Sequence, residues 1–182
     1  MKKLLTLALA FVAVAHFTAP AVAGSPPKIA PLKAPIPLKD CRDPAAQSLD
    51  FQVLSRGLHR TEGRIRITGV VKNVGNAVFE SDPRQATVAL YETHPGAQGT
   101  IKAQQSIARL APNATITLNF ERDWSIAAEF PPTFALLISY DPDIYLDANK
   151  KNDDCNRNNN KKELSGAEIN RLWLLRDSPK AP

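Results

Sequence analysis

Arg64-Ile65-Arg66-Ile67-Thr68-Gly69-Val70-Val71 alternates apolar residues with cationic or small polar ones, and the run closes at Asn73-Val74-Gly75-Asn76. Successive residues of a strand point to opposite faces, so a period of two means a strand with one buried face. The Asn and Gly that follow supply turn chemistry, because both tolerate positive φ. Upstream, Leu49-Asp50-Phe51-Gln52-Val53-Leu54-Ser55 alternates in the same way. Downstream, Ala86 to Tyr91, Ile101 to Ile107, Thr115 to Phe120 and Phe134 to Tyr140 are further short β-type runs. Gly57 to Gly63, Thr93-His94-Pro95-Gly96, Ala111-Pro112-Asn113-Ala114 and Pro131-Pro132 punctuate them. Short strands at this spacing predict an all-β sandwich or barrel.

The stretch from Ile67 to Asn76 also resembles the second-strand signature of bacterial CARDB-type (cell-adhesion-related) domains, a β-run followed by Lys-Asn-x-Gly. Val88-Ala89-Leu90-Tyr91 is similar to that family's third core strand. Ala108 to Ala114 is similar to its turn before strand E, with Asn113 where Gly is common. Ile138-Ser139-Tyr140-Asp141-Pro142-Asp143 resembles its strand F, and the Asn-rich stretch from Asp147 to Asn160 its tail. The resemblance implies an immunoglobulin-like antiparallel β-sandwich of about seven strands over residues 45–176. It further implies an exported bacterial protein concerned with adhesion, surface assembly or accessory binding, and it brings no catalytic residues.

At the N-terminus, Lys2 and Lys3 precede an uncharged apolar run from Leu4 to Phe17, followed by Ala21-Val22-Ala23. This is the layout of a cleavable signal peptide over residues 1–23, with Gly24 as the mature terminus. The run is shorter than the ~20 residues a membrane-spanning helix needs, so no transmembrane span is expected after cleavage. Residues 24–44 carry Pro26, Pro27, Pro31, Pro35, Pro37 and Pro44 among Lys28, Lys33 and Lys39. Proline fixes φ and removes a donor, so this segment is expected to be a polyproline II spacer rather than helix or sheet. Pro35-Ile36-Pro37 as a ligand for an aromatic groove is the sharper alternative. Residues 177–182 are expected to be a disordered tail.

Ser165-Gly166-Ala167-Glu168 fits a helix capping box, and Ile169, Leu172, Trp173 and Arg176 share one helical face. A sandwich needs a last strand as well, which Arg171 to Leu175 would supply; helix is the favoured reading of residues 165–175, and either form buries Trp173.

The chain has 23 Lys plus Arg against 18 Asp plus Glu. Removing residues 1–23 takes two lysines and no acid, leaving 21 basic against 18 acidic residues. The cations are scattered and sit beside acids, which argues against a nucleic-acid partner. Only His59 and His94 remain after cleavage, no His-Glu-x-x-His or Gly-x-Ser-x-Gly occurs, and no glycine-rich phosphate loop is present. The chain is therefore read as a non-enzyme without a cofactor, at work in the periplasm or outside the cell, binding a protein at the envelope or surface.

One polar constellation stands out: Asp141, Asp143, Asp147, Asn149, Asp153 and Asp154. Calcium takes six to eight oxygens, and such a loop offers them to a calcium- or carbohydrate-binding accessory domain, with Tyr140 and Tyr145 nearby. The spacing is not that of an EF-hand, and the favoured reading is a turn-rich connection whose Asp and Asn side chains bond their own backbone. Cys41 and Cys155 are the only cysteines. An oxidising compartment favours their pairing, and the implied sandwich runs its first strand beside its last, which brings the two together.

Overall fold

The protein is described from a computed structural model that places residues 39–176. Residues 1–38, which hold the expected signal peptide and most of the expected spacer, and residues 177–182, the expected tail, lie outside the described residues.

The strands are β1 (Pro44–Arg56), β2 (Glu62–Asn73), β3 (Phe79–Glu80), β4 (Ala86–Thr93), β5 (Thr100–Ser106), β6 (Arg109–Leu110), β7 (Thr115–Ser125), β8 (Thr133–Tyr140) and β9 (Lys161–Ser165). One helix, α1 (Gly166–Arg176), follows. The seven longer strands form two antiparallel sheets, ordered β1-β2-β7 and β5-β4-β8-β9, and β3 pairs with β6. The expected all-β sandwich is what the chain forms. Period two builds it: Ile65, Ile67 and Val71 of β2 are fully buried, as are Val88 and Leu90 of β4 and Phe134 and Leu136 of β8. Each such side chain contributes roughly 1.5–3 kcal/mol by leaving water.

Register defines two ends. Arg56 of β1 pairs with Gly63 of β2, which neighbours Trp124 of β7, so the turn 57–61, the loop 126–132 and α1 lie at one end, hereafter the helix end. Pro44 pairs with Asn73, and Ala86 pairs with Tyr140, so Cys41, the turn at residues 74–78 and the connection 141–160 lie at the other.

Four details depart from the sequence reading. Pro44 opens β1 rather than closing the spacer, a position where a strand tolerates the missing N–H. β7 runs five residues past Phe120, because Arg64 and Arg66 of β2 answer Glu121 and Asp123 across the sheet. The last strand is β9, Lys161-Lys162-Glu163-Leu164-Ser165, not Arg171 to Leu175. It is an edge strand, nearly all exposed, and so carries no apolar alternation. Residues 166–176 are helix, with Ile169 and Trp173 fully buried. Only half of the capping box forms: the Ser165 hydroxyl accepts from the Glu168 N–H at 3.1 Å, while the Glu168 carboxylate turns to Arg171.

Candidate functional site

The connection after β8 holds all six acidic and amide candidates, and hydrogen bonds divide them. Asp147 accepts from Asn152 Nδ2 at 2.7 Å, from the Asn149 N–H at 2.7 Å and from Gln85 Nε2 at 2.9 Å. The Asn152 amide, then the Asn149 N–H, hold its carboxyl below the usual carboxylate range. Asn149 accepts from the Lys151 N–H and donates to the Glu80 carbonyl. Asp154 is buried and accepts from Tyr140 Oη at 3.0 Å, Asn160 Nδ2 at 2.8 Å and the Asn156 N–H at 2.9 Å. Burial and the adjacent Asp154 push the Tyr140 hydroxyl up. Asp153 pairs with Lys150 at 3.5 Å. Asp141 and Asp143 stand together, and sharing a hydrogen bond with Asp141 raises the Asp143 carboxyl.

These side chains stitch the connection to β3, β4 and β8. Among the described residues no three of these carboxylates gather within reach of one ion; the group that does is Cys41, Asp43 and Cys155. The aromatic rings beside them are engaged too: the Arg157 guanidinium lies 3.4 Å from the centre of the Tyr145 ring, and Tyr140 leans on Phe79 at 6.2 Å.

Cys41 and Cys155 are at disulfide distance, with Cα atoms 5.5 Å apart. Their neighbours Arg42 and Asp154 form a parallel bridge, and the Cys155 N–H donates to the Arg42 carbonyl at 2.9 Å. The chain before β1 thus lies beside the chain before β9, as a sandwich with adjacent first and last strands requires.

Asn73 organises this end. It is fully buried, and its Oδ1 accepts from the Asp43 N–H at 3.1 Å and the Gly75 N–H at 3.0 Å, while its Nδ2 donates to the carbonyls of Leu110 at 2.8 Å and Ala77 at 2.9 Å. A Cβ on Gly75 would stand 2.1 Å from the Cys41 carbonyl oxygen. The Lys-Asn-x-Gly stretch is therefore a hub on which the segment before β1 docks. Asn113, where Gly is common in the resembled family, adopts φ 65°, which Asn tolerates.

The helix end is built differently. Trp173 is fully buried, its Nε1 donates to the Arg60 carbonyl at 3.0 Å, and the Arg56 guanidinium lies 4.0 Å from its ring centre. Trp124 Nε1 donates to Asn170 Oδ1 at 2.9 Å, so both tryptophans tie α1 to the sandwich. A Cβ on Gly63 would meet the Ser55 carbonyl at 2.3 Å and the Trp173 ring at 2.9 Å, so only glycine admits this packing. Beside it opens a groove of about 460 Å³, lined by Glu62, Arg122, Trp124, Pro131 and Pro132 among others. Leu58, Phe130, Leu174 and Leu175, all more than half exposed, surround this end.

Sequence reading missed one charged cluster, although a signal for it exists. Glu92 falls in the inward row of β4 after Val88 and Leu90, and Arg122 in the inward row of β7 between Phe120 and Trp124. A charge at an inward position calls for a partner. Glu92 is nearly fully buried and pairs with Arg122, with Lys102 at 3.0 Å and with His94 at 3.3 Å, which joins the two sheets near the helix end. His59 sits exposed in the turn between β1 and β2.

Compared with known proteins, the chain matches no family model and no curated protein. Among solved structures, it is similar over 65% of its length to a β-glucosidase involved in saponin metabolism from intestinal bacteria, at 17% identity and TM-score 0.27. It is similar over 65% to β-glucosidase from Kluyveromyces marxianus, at 13% identity and TM-score 0.25. The chain spans only 16% and 14% of those two proteins, and likeness this loose carries nothing about activity.

Proposed function

We propose that this chain is an exported, non-enzymatic interaction domain of CARDB type that binds another protein at the bacterial envelope or surface through its helix end. The observation that carries the reading is that Leu58, Phe130, Leu174 and Leu175, four of the seven large apolar side chains exposed among the described residues, all stand on the turn, the loop and the helix of that end, where a groove also opens. Single exposed apolar residues are ordinary, but a group of them on one end is the mark of an interface. The charges around the groove, Glu62, Arg122 and Asp123, supply the polar rim that such surfaces carry.

Export is supported by the layout of residues 1–23 and by a cysteine pair suited to an oxidising compartment. Among the described residues no helix is long and apolar enough to cross a membrane. Intact mass of the exported protein should begin at Gly24.

The test of binding is a Leu58→Ser, Phe130→Ser double variant. Both side chains are exposed, so melting should move little, while a partner retained from native envelope extract by the parent protein should be lost. Equal retention by both proteins would refute the helix end as the binding surface.

A further inference from the structure

We propose that the end opposite α1 carries an oxyanion site that takes the phosphate group of a phosphate ester, in a hollow of about 640 Å³ between the segment before β1 and the connection 141–160. Lys39 and Arg42 line it from the first segment, and Lys150 and Arg157 from the second. The two segments are far apart in the chain, and three features fix their spacing. These are the Cys41–Cys155 pair, the parallel bridge of Arg42 with Asp154, and the Cys155 N–H donating to the Arg42 carbonyl. Cations held apart by the fold itself are ordered before any ligand arrives, which lowers the cost of binding.

Three acids line the hollow as well, and their bonds show which cations they answer. Asp154 is buried and turned to Tyr140, Asn160 and the Asn156 N–H. Asp153 pairs with Lys150 at 3.5 Å, and Asp40, 72% exposed, pairs with Arg42 at 3.3 Å. An ion pair this open to water is worth little, so a bound anion can displace it. Lys39 and Arg157 make no ion pair among the described residues.

Two details point to an oxyanion as the missing partner. Arg42 Nε is buried and has no hydrogen-bond acceptor among the described residues, and a buried donor without an acceptor is rare because it is costly. The Arg157 guanidinium lies 3.4 Å from the centre of the Tyr145 ring, and a guanidinium stacked on a ring keeps its N–H donors at its edge. Guanidinium forks match phosphate oxygens in pairs, and the two ammonium groups add point charge. The volume falls within the range of small-molecule sites, so the organic part of an ester has room beside its phosphate.

Titration of the full mature protein, labelled with ¹⁵N, with inorganic phosphate and with glycerol 3-phosphate tests this. Both probes should shift the amides of residues 39–42 and 150–157 saturably, with a dissociation constant on the order of 1 mM that rises with salt. Arg157→Gln, at an exposed position, should weaken binding about tenfold and leave melting unchanged. Arg157→Lys, which keeps the charge and loses the fork, should recover only part of it. Co-sedimentation with phosphatidylglycerol vesicles that glycerol 3-phosphate competes away would assign the site to a lipid headgroup, and no co-sedimentation would assign it to a soluble ester. Three results would overturn the proposal: shifts that do not saturate by about 50 mM phosphate, Arg157→Gln binding like the parent, or succinate shifting the same amides at lower concentration than glycerol 3-phosphate. The last would make the hollow a carboxylate site.

Discussion

Replacing Asn73 by Ala removes four hydrogen bonds at one stroke while touching nothing on the surface. Two of them, from the Asp43 N–H and to the Leu110 carbonyl, are buried, and two, involving Gly75 and Ala77, are half-buried. A buried group left without its partner costs about 1–3 kcal/mol, and a half-buried one less because water replaces the partner. The sum for Asn73→Ala is about 3–5 kcal/mol, a large share of the 5–15 kcal/mol typical of a domain. Urea unfolding followed by fluorescence of Trp124 and Trp173, both buried, reads this directly. Asn73→Asp keeps the acceptor, but it loses both donations and places a carboxylate among carbonyls, so it should be no better than Ala. A loss below about 1 kcal/mol for Asn73→Ala would show that the hub adds nothing beyond packing and would refute the reasoning.

Replacing both Cys41 and Cys155 by Ala opens a loop spanning a separation of 114 residues and should cost up to about 5 kcal/mol on the chain-entropy account. The unreduced parent should show no free thiol, and two labelled cysteines would end the pairing. Calcium should raise the melting temperature little, since Asp147, Asn149 and Asp154 already spend their oxygens on protein donors. A rise of many degrees that Asp147→Ala abolishes would contradict this. Because the Asp147 carboxyl titrates lower in the folded than in the unfolded chain, its stabilisation is complete above the ordinary carboxylate range. It is lost as pH falls through the lowered value. The melting temperature should therefore fall below about pH 4, less steeply in Asp147→Asn, and an unchanged slope in that variant would remove Asp147 from the account.

What was legible in the sequence follows from where apolar alternation survives. β2, β4 and β8 are buried on one face or both, and Ile65, Val88 and Phe134 announce them. β9 is illegible because its edge position asks for no apolar row, and the second half of β7 is hidden because Glu121, Arg122 and Asp123 break a pattern that β2 completes from elsewhere. The pairing of Cys41 with Cys155 was readable because only two cysteines exist and the implied sandwich brings their segments together. The Lys-Asn-x-Gly stretch was visible as a motif, but the partners of Asn73 come from three segments, the stretch before β1, the turn 74–78 and β6. At the helix end the terminal helix and the burial of Trp173 were legible from the capping box and the apolar face, but the placing of Leu58, Phe130, Leu174 and Leu175 at one end was not, because it arises only once two loops and α1 have been folded there.

The binding role of that end is the central claim, and site-specific photo-crosslinking tests it most directly. A photoreactive residue at Phe130 should cross-link one discrete partner in intact cells, whereas the same residue at Leu146, exposed on the connection 141–160 at the opposite end, should not. Cross-links from position 146 with none from position 130 would contradict the account and move the binding surface to the connection after β8.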